Sequence, residues 1–303
     1  MYQILLYYKY IPIENPEELM REQRALCEKL RLKGRIIIAK EGINGTVEGT
    51  IEDTETYIEE MKKDSRFADI HWKKSDGIGN AFPKLRVRVR DEIVSTHLEE
   101  KDVDPRVTTG KYLTPEELHS WIHPSAGSGQ AAKEFYIIDM RNDFEYAVGH
   151  FENSFFPNLQ YFRNLPGQIE KLSHLKNKTI LTVCTGGVRC EKASGFLLTQ
   201  GFDDVYQLKG GIVSYMERYP NLDFKGKLYV FDKRLVMGFN TESSDHEIIG
   251  RCVKCESQCE RMINCINDEC SRHFILCADC ADPVTGRLLC PMGCRPPSVR
   301  HRI

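Results

Sequence analysis

A chain of 303 residues, 41% hydrophobic and 28% charged, is long enough for about two domains and is neither disordered nor fibrous in composition. Its 42 basic and 44 acidic residues leave a net charge of −2, which excludes a strongly basic chain that coats nucleic acid by charge alone but leaves room for a local basic face. The longest apolar runs, such as Ile36 to Ala39 and Phe135 to Ile138, fall far short of the ~20 residues that span a bilayer. Met1-Tyr2-Gln3 opens no basic, apolar leader, so the expected compartment is the cytoplasm and no membrane partner is expected.

In chain order, Gln3 to Tyr8 is an apolar, aromatic run with strand character. Asn15-Pro16-Glu17-Glu18 then supplies a helix start, with a cap, a proline in the first turn and two acids facing the helix dipole. Leu19, Leu26 and Leu30 share one helical face, and Gly34 sits where a helix stops. Arg35 to Ala39 reads as a strand and Asn44-Gly45 as a turn dipeptide reversing the chain into Thr46 to Glu48. Asp53 to Lys63 reads as a second helix and Leu85 to Val94 as a last strand. The order β-α-β-β-α-β over residues 1–95 predicts a ferredoxin-like domain.

Within that last strand, Lys84, Arg86, Arg88 and Arg90 alternate with Leu85, Val87 and Val89, so four cations share one face at ~7 Å spacing, a match to a phosphodiester chain. Residues 1–95 carry 17 basic and 17 acidic groups, and from charge alone a solvated face ranks above RNA contact. Residues 96–111, rich in acids and ending near Gly110, read as a linker.

A central domain is expected over 112–222. Thr114-Pro115-Glu116-Glu117 starts a helix, Ser125 to Gln130 is a polar loop, and Phe135 to Asp139, Thr179 to Val183 and Val205 to Leu208 are buried strands separated by helical stretches, which predicts a parallel sheet covered by helices. The most informative segment runs from Ile180 through Val183 into Cys184-Thr185-Gly186-Gly187-Val188-Arg189-Cys190, then into a helix. At the carboxyl edge of such a sheet, glycines let backbone amides converge on an anion at a helix N-terminus. The same field lowers the Cys184 thiol pKa and makes it nucleophilic, with Arg189 adding a fixed positive charge. A lone cysteine would read as an inert core residue; strand, cysteine, paired glycines, arginine and helix together favour a catalytic loop. A cysteine-dependent phosphatase loop holds one more residue between cysteine and arginine, and the smaller ring here suits a persulfide sulfur.

After a connecting segment, 223–250, nine of the twelve cysteines crowd into Cys252 to Cys294, leaving Cys27, Cys184 and Cys190 outside. Such a tail on a long leaderless chain suits reduced thiolates rather than a disulfide scaffold. Two C-x2-C pairs, Cys252/Cys255 and Cys277/Cys280, have the spacing of a zinc ribbon. With Cys265, Cys270, Cys290 and Cys294 they make eight candidate ligands in the module 251–303, enough for two structural zinc ions in a pairing that spacing leaves open. Free or redox-active thiols are the competing account.

The loop at Cys184, together with Ile138-Asp139-Met140-Arg141-Asn142-Asp143-Phe144-Glu145, Gly149-His150-Phe151 and Leu208-Lys209-Gly210-Gly211-Ile212, resembles the rhodanese domain family. That resemblance makes Cys184 the position that carries a persulfide and Asp139 and Arg141 supporting residues near the site. With Gly34 to Thr46, Phe231-Asp232 and the cysteine tail added, almost the whole chain resembles the rhodanese-domain tRNA uridine hydroxylase family, whose N-terminal domain is acylphosphatase-like. The expected fold is therefore mixed α/β and α+β, multidomain: acylphosphatase-like, rhodanese, and a zinc-ribbon-like module.

The resemblance implies hydroxylation at carbon 5 of the wobble uridine in tRNA anticodons, with molecular oxygen as co-substrate. The residues themselves display no flavin or nicotinamide fingerprint and no evident iron triad. In this reading Cys184 or its persulfide engages the uracil ring or an oxygen-derived species, Arg189 and the loop of Thr185, Gly186, Gly187 and Val188 hold the sulfur, and Cys190 either resolves an oxidised Cys184 or simply packs. The basic stripe rises to an RNA contact. Two alternatives stay open: a persulfide-carrying sulfurtransferase without an RNA substrate, and a noncatalytic zinc-stabilised RNA-binding protein.

Overall fold

A computed structural model describes residues 1–98, 101–124, 134–267, 269–270, 272–291 and 293–294. The polar loop expected at Ser125 to Gln130 lies outside the described residues, as do Glu99, Glu100 and residues 295–303.

The N-terminal domain contains β1 (Tyr2–Tyr10), α1 (Pro16–Lys29), β2 (Lys33–Ala39), β3 (Gly42–Thr50), α2 (Ile51–Lys62), β4 (Lys73–Gly77) and β5 (Leu85–Val89). Asn15 caps α1 by accepting the Glu18 N–H at 3.2 Å, and Thr50 caps α2 by accepting the Asp53 N–H at 3.1 Å. The sheet order β4-β1-β3-β2-β5 is a ferredoxin-like four-strand core with a fifth strand added parallel to β2. Leu85 to Val89 is therefore that added edge strand. The fourth strand of the ferredoxin pattern is Lys73–Gly77, whose sequence Lys-Lys-Ser-Asp-Gly carries no apolar alternation.

Asn44-Gly45 is not a turn. Both residues lie inside β3, paired with Tyr8 and Tyr7 of β1, and the chain reverses one step earlier, between Ala39 and Gly42. Gly45 serves packing instead: a Cβ there would lie 2.3 Å from Cζ of the Tyr7 ring, which fills the space a side chain would take.

Alternation divides this sheet into two faces. Leu5, Tyr7, Ile36, Ile38, Val47 and Val87 pack under α1 and α2 as one core. Leu6, Tyr8 and Tyr10 point the other way, toward the second domain.

That domain contains β6 (Lys111–Leu113), α3 (Pro115–Ile122), β7 (Phe135–Asp139), α4 (Asp143–Val148), β8 (Gly149–Phe151), β9 (Thr179–Val183), α5 (Val188–Thr199), β10 (Asp204–Leu208) and α6 (Gly211–Arg218). Strands β6, β10, β9 and β7 form a parallel sheet in that order, so the carboxyl ends of β7 and β9 lie side by side, with Asp139 opposite Val183. Thr114 and Glu117 close a capping box at α3.

Within 223–250, β11 (Phe224–Gly226) pairs with β8, while β12 (Leu228–Tyr229) pairs with β13 (Val236–Met237). In the cysteine-rich module, β14 (Met262–Asn264) and β15 (His273–Ile275) form a short hairpin. Among the described residues, no helix is long and apolar enough to cross a membrane.

The open face of the N-terminal sheet is tied to the central domain at several points. The Tyr8 hydroxyl donates to Glu191 at 2.9 Å, the Tyr10 hydroxyl to the Val188 carbonyl at 3.2 Å, and Lys192 pairs with Glu41 at 2.6 Å. From the segment after the central domain, Lys233 N–H donates to the Ala81 carbonyl at 3.0 Å, and Arg234 donates to Ser75 Oγ at 3.1 Å and the Asp76 carbonyl at 2.9 Å.

Candidate active site

Strand β9 is buried along Ile180 to Val183 and delivers Cys184, itself 0% exposed, to the N-terminal end of α5. Gly187 takes φ = +103°, a conformation in which a side chain is strained, and from there its N–H donates to Cys184 Sγ at 3.3 Å. Burial by itself raises the Cys184 pKa. The Cys190 thiol and amide, the Arg189 charge and the Gly187 amide outweigh it and hold the thiol below its ordinary range. Cys190 moves the opposite way, pushed up by burial and by its thiolate neighbour.

Arg189 does not stand free above the sulfur. Its guanidinium grips Glu145 of α4 at 2.6 and 2.8 Å, donates to Thr185 Oγ1 at 3.1 Å, and lies 5.9 Å from the centre of the Phe231 ring. Glu145 is 0% exposed. Burial opposes its ionisation, but Arg189 and then Arg141 win and keep its carboxyl below the usual range. Asp139 and Arg141 pair at 2.6 Å in the dry interior, and Arg141 also donates to the Gly149 carbonyl at 2.6 Å. These two fasten the turn after β7 to β8.

The N-terminal domain closes over this loop. A Cβ at Gly186 would come 2.8 Å from Leu6, and one at Gly187 would come 2.8 Å from the Tyr8 hydroxyl. Glu191 gathers donors from both domains: Tyr8 at 2.9 Å, Tyr112 at 2.9 and 3.0 Å, and Gln207 at 3.1 Å. Lys73 of β4 is 8% exposed, with its ammonium 4.9 Å from the centre of the Tyr8 ring. Burial lowers its pKa to about 8, against the opposing pull of the Cys184 and Glu191 charges. Glu145, Tyr8, Glu191 and Lys73 are assigned no role at the site by the sequence reading, although Glu145 stands in the motif Ile138 to Glu145. The one available signal is the Tyr8-x-Tyr10 alternation on β1, which sets two hydroxyls on the face opposite the helices.

Arg86 and Arg88 on the edge strand β5, and Lys84 and Arg90 immediately flanking it, are all exposed. Cross-strand pairing runs Leu6, Thr46, Arg35, Arg86 across the open face. The stripe therefore shares the face whose Leu6 touches the Cys184 loop, about 14 Å away at the usual strand spacing.

In the tail, one ligand atom from each of Cys252, Cys255, Cys277 and Cys280 lies within 4.8 Å of the others, and the same holds for Cys265, Cys270, Cys290 and Cys294. The two sets interleave along the chain, and Cys259 belongs to neither. Sulfur separations of 3.6 Å (Cys255 to Cys277) and 3.8 Å (Cys270 to Cys290) match the roughly 3.8 Å edge of a tetrahedron with ~2.3 Å metal–sulfur bonds. Each set can hold a metal ion. His273 is turned elsewhere, sharing a 2.9 Å hydrogen bond with Tyr229. A third group, His119, His123 and Asp223, has its carboxylate already engaged by His123 at 2.8 Å and by the Tyr215 hydroxyl, which ties α3 and α6 to β11.

Comparison with known proteins matches three family models in succession: the UPF0176 acylphosphatase like domain over residues 2–93, the rhodanese-like domain over 114–218, and the rhodanase C-terminal region over 225–295. The chain is 46% identical over 282 residues to a Bacillus cytotoxicus protein named tRNA uridine(34) hydroxylase, covering 92% of this chain and 83% of that one. Proteins of the same name from Bacillus licheniformis (43% identical over 300 residues, 97% and 88% covered) and Cytophaga hutchinsonii (43% over 295, 97% and 91%) are similarly close.

Proposed function

The chain belongs to the tRNA uridine(34) hydroxylase family, and on that premise we propose that it converts the wobble uridine of tRNA anticodons to 5-hydroxyuridine, with Cys184 as its reactive group. The observation that carries this reading is the buried Cys184 thiol held toward its thiolate by the Gly187 and Cys190 amides and the Arg189 charge at the head of α5. Addition of such a thiolate to uracil C6 shifts electron density to C5, the carbon that receives oxygen. Uridine, O2 and two thiol equivalents then give 5-hydroxyuridine, water and a disulfide. The C6–S bond breaks as the C5 proton leaves, and Cys184 is returned.

Because Cys184 has no exposed surface, the uridine reaches it unstacked, through a parting of the N-terminal and central domains. Arg86, Arg88 and their neighbours Lys84 and Arg90 contact the RNA backbone from the same sheet face. Zinc fills both cysteine sets and stabilises the tail, and the protein works in the cytoplasm, where its thiols stay reduced.

The reading is tested by incubating the full chain with unmodified tRNA and a thiol under 18O2 and digesting the RNA for mass spectrometry. 5-Hydroxyuridine carrying one 18O is expected, and reversal of Arg86 and Arg88 to glutamate should reduce its formation at low tRNA concentration. Sulfur transfer to cyanide or thiols with no change in the tRNA would replace this reading with the sulfurtransferase one.

Metal analysis of the purified chain should return two zinc ions. Cys259→Ser keeps both, whereas Cys252→Ser with Cys255→Ser loses one. A folded tail without metal would remove zinc from the account.

A further inference from the structure

Beside the Cys184 loop, a cavity of about 340 Å3 opens between the two domains, within the size range of small-ligand sites. Its charged lining is mostly self-compensated. Lys9 is paired with Asp69 at 2.6 Å, Arg106 with Asp104 at 2.5 Å, and Glu191 already accepts from Tyr8, Tyr112 and Gln207. Three nitrogen groups in the lining remain without an acid within salt-bridge distance among the described residues: His71, Lys73 and Lys209. All three line the same cavity, and burial and then the charges of Lys73 and Lys209 hold His71 below its ordinary pKa.

Lys73 is the decisive member. A lysine that is more than nine-tenths buried normally has a carboxylate beside it, because an unpaired ammonium out of water destabilises the fold. This one faces an aromatic ring and a cavity, and although the Glu191 and Cys184 charges act on it, neither lies within salt-bridge distance. Three clustered cationic or donor groups, a polar void and the walls of Tyr8, Tyr10 and Tyr112 make a receptor for an anion with a flat group attached.

We propose that this cavity seats a backbone phosphate adjacent to the target uridine, gripped by Lys73, Lys209 and His71, so that the N-terminal domain sets which nucleotide faces Cys184. The proposal rests on the hydroxylase reading and adds to it the site that registers the RNA. The stripe on β5, three strands away, gives affinity along the stem, whereas this cavity fixes position at the base.

The test uses the full chain and a 17-nucleotide RNA stem-loop with uridine at the wobble position, alongside two versions in which the linkage 5′ or 3′ of that uridine is a neutral methylphosphonate. Binding is followed by fluorescence anisotropy without oxygen. Neutralising one of the two linkages should weaken wild-type binding about tenfold, the scale of one lost charge-assisted contact. Lys73→Met with Lys209→Gln should weaken the native stem-loop by a similar factor and no longer distinguish it from the neutral one.

The proposal fails if neither neutral linkage affects the wild-type protein, or if the double variant still loses the full factor on neutralisation. It also fails if inorganic phosphate binds at these residues while both linkages prove irrelevant, which would make this a free-anion site. Hydroxylation of the native stem-loop by the same wild-type sample separates the two levels. Product with insensitive binding overturns the cavity alone, whereas no product overturns the hydroxylase reading beneath it.

Discussion

Replacing Cys184 with serine is expected to reduce 5-hydroxyuridine formation by ~10³-fold or more, the scale seen when a reacting nucleophile is removed, while zinc content and RNA affinity stay as they are. Serine fits the space, so the loss is chemical. A hydroxyl in the same ring of amides does not ionise near neutrality and cannot add to a pyrimidine. The partner experiment is Cys190→Ala. Cys190 helps hold the Cys184 thiol below its ordinary range, so removing that donor raises the Cys184 pKa. The thiolate is the form present above the pKa, so the acid limb of the pH–rate profile, and of Cys184 alkylation by iodoacetamide, should move to higher pH. A Cys184→Ser protein that still makes product would remove the sulfur from the chemistry altogether.

Glu145→Gln should cost about 3 kcal/mol in urea-induced unfolding of the central domain. It leaves the buried Arg189 guanidinium without its counter-charge. The native ion pair keeps the Glu145 carboxyl below the usual range, so its contribution is complete above the ordinary carboxylate pKa. That contribution disappears only as pH falls through the lowered native value. The same substitution leaves Cys184 as the nearest anion for Arg189, so the thiol pKa drops and the acid limb of alkylation moves to lower pH, opposite to Cys190→Ala. If stability is unchanged, the Arg189–Glu145 pair does not hold α4 to the head of α5. If the limb moves upward, Arg189 is not acting on the sulfur.

Strands β7, β9 and β10 were legible because each is a short, mostly buried run dominated by aliphatic, β-branched and aromatic residues, and the Cys184 loop because its parts are contiguous. Strand β4 was not, since Lys73 to Gly77 carries no pattern and is held in place by pairing with β1. Asn44-Gly45 misled because a glycine needed for the Tyr7 ring looks identical, in sequence, to one needed for a turn. The alternation of Lys84 to Arg90 correctly divides strand faces, but which face meets the central domain is a tertiary fact. Tyr8 and Glu191 stand 183 positions apart, and Arg189 and Glu145 stand 44 apart. No local window contains either pair, so the groups that cover and balance the sulfur are invisible until the domains are docked.

The bonds from Lys233 and Arg234 back to Ala81, Ser75 and Asp76 have a consequence for biosynthesis. A ribosome releases the N-terminal domain first, then Cys184, and only about 50 residues later the latch that joins the far side of the junction. At ~5–20 residues per second the nascent chain spends roughly 3–10 s with its reactive thiol under an unfastened cover. A truncation just before residue 233 should make that fleeting state permanent, leaving the cover held only by the Tyr8, Tyr10 and Lys192 contacts and the sulfur more readily reached by whatever oxidant or metal the cell supplies.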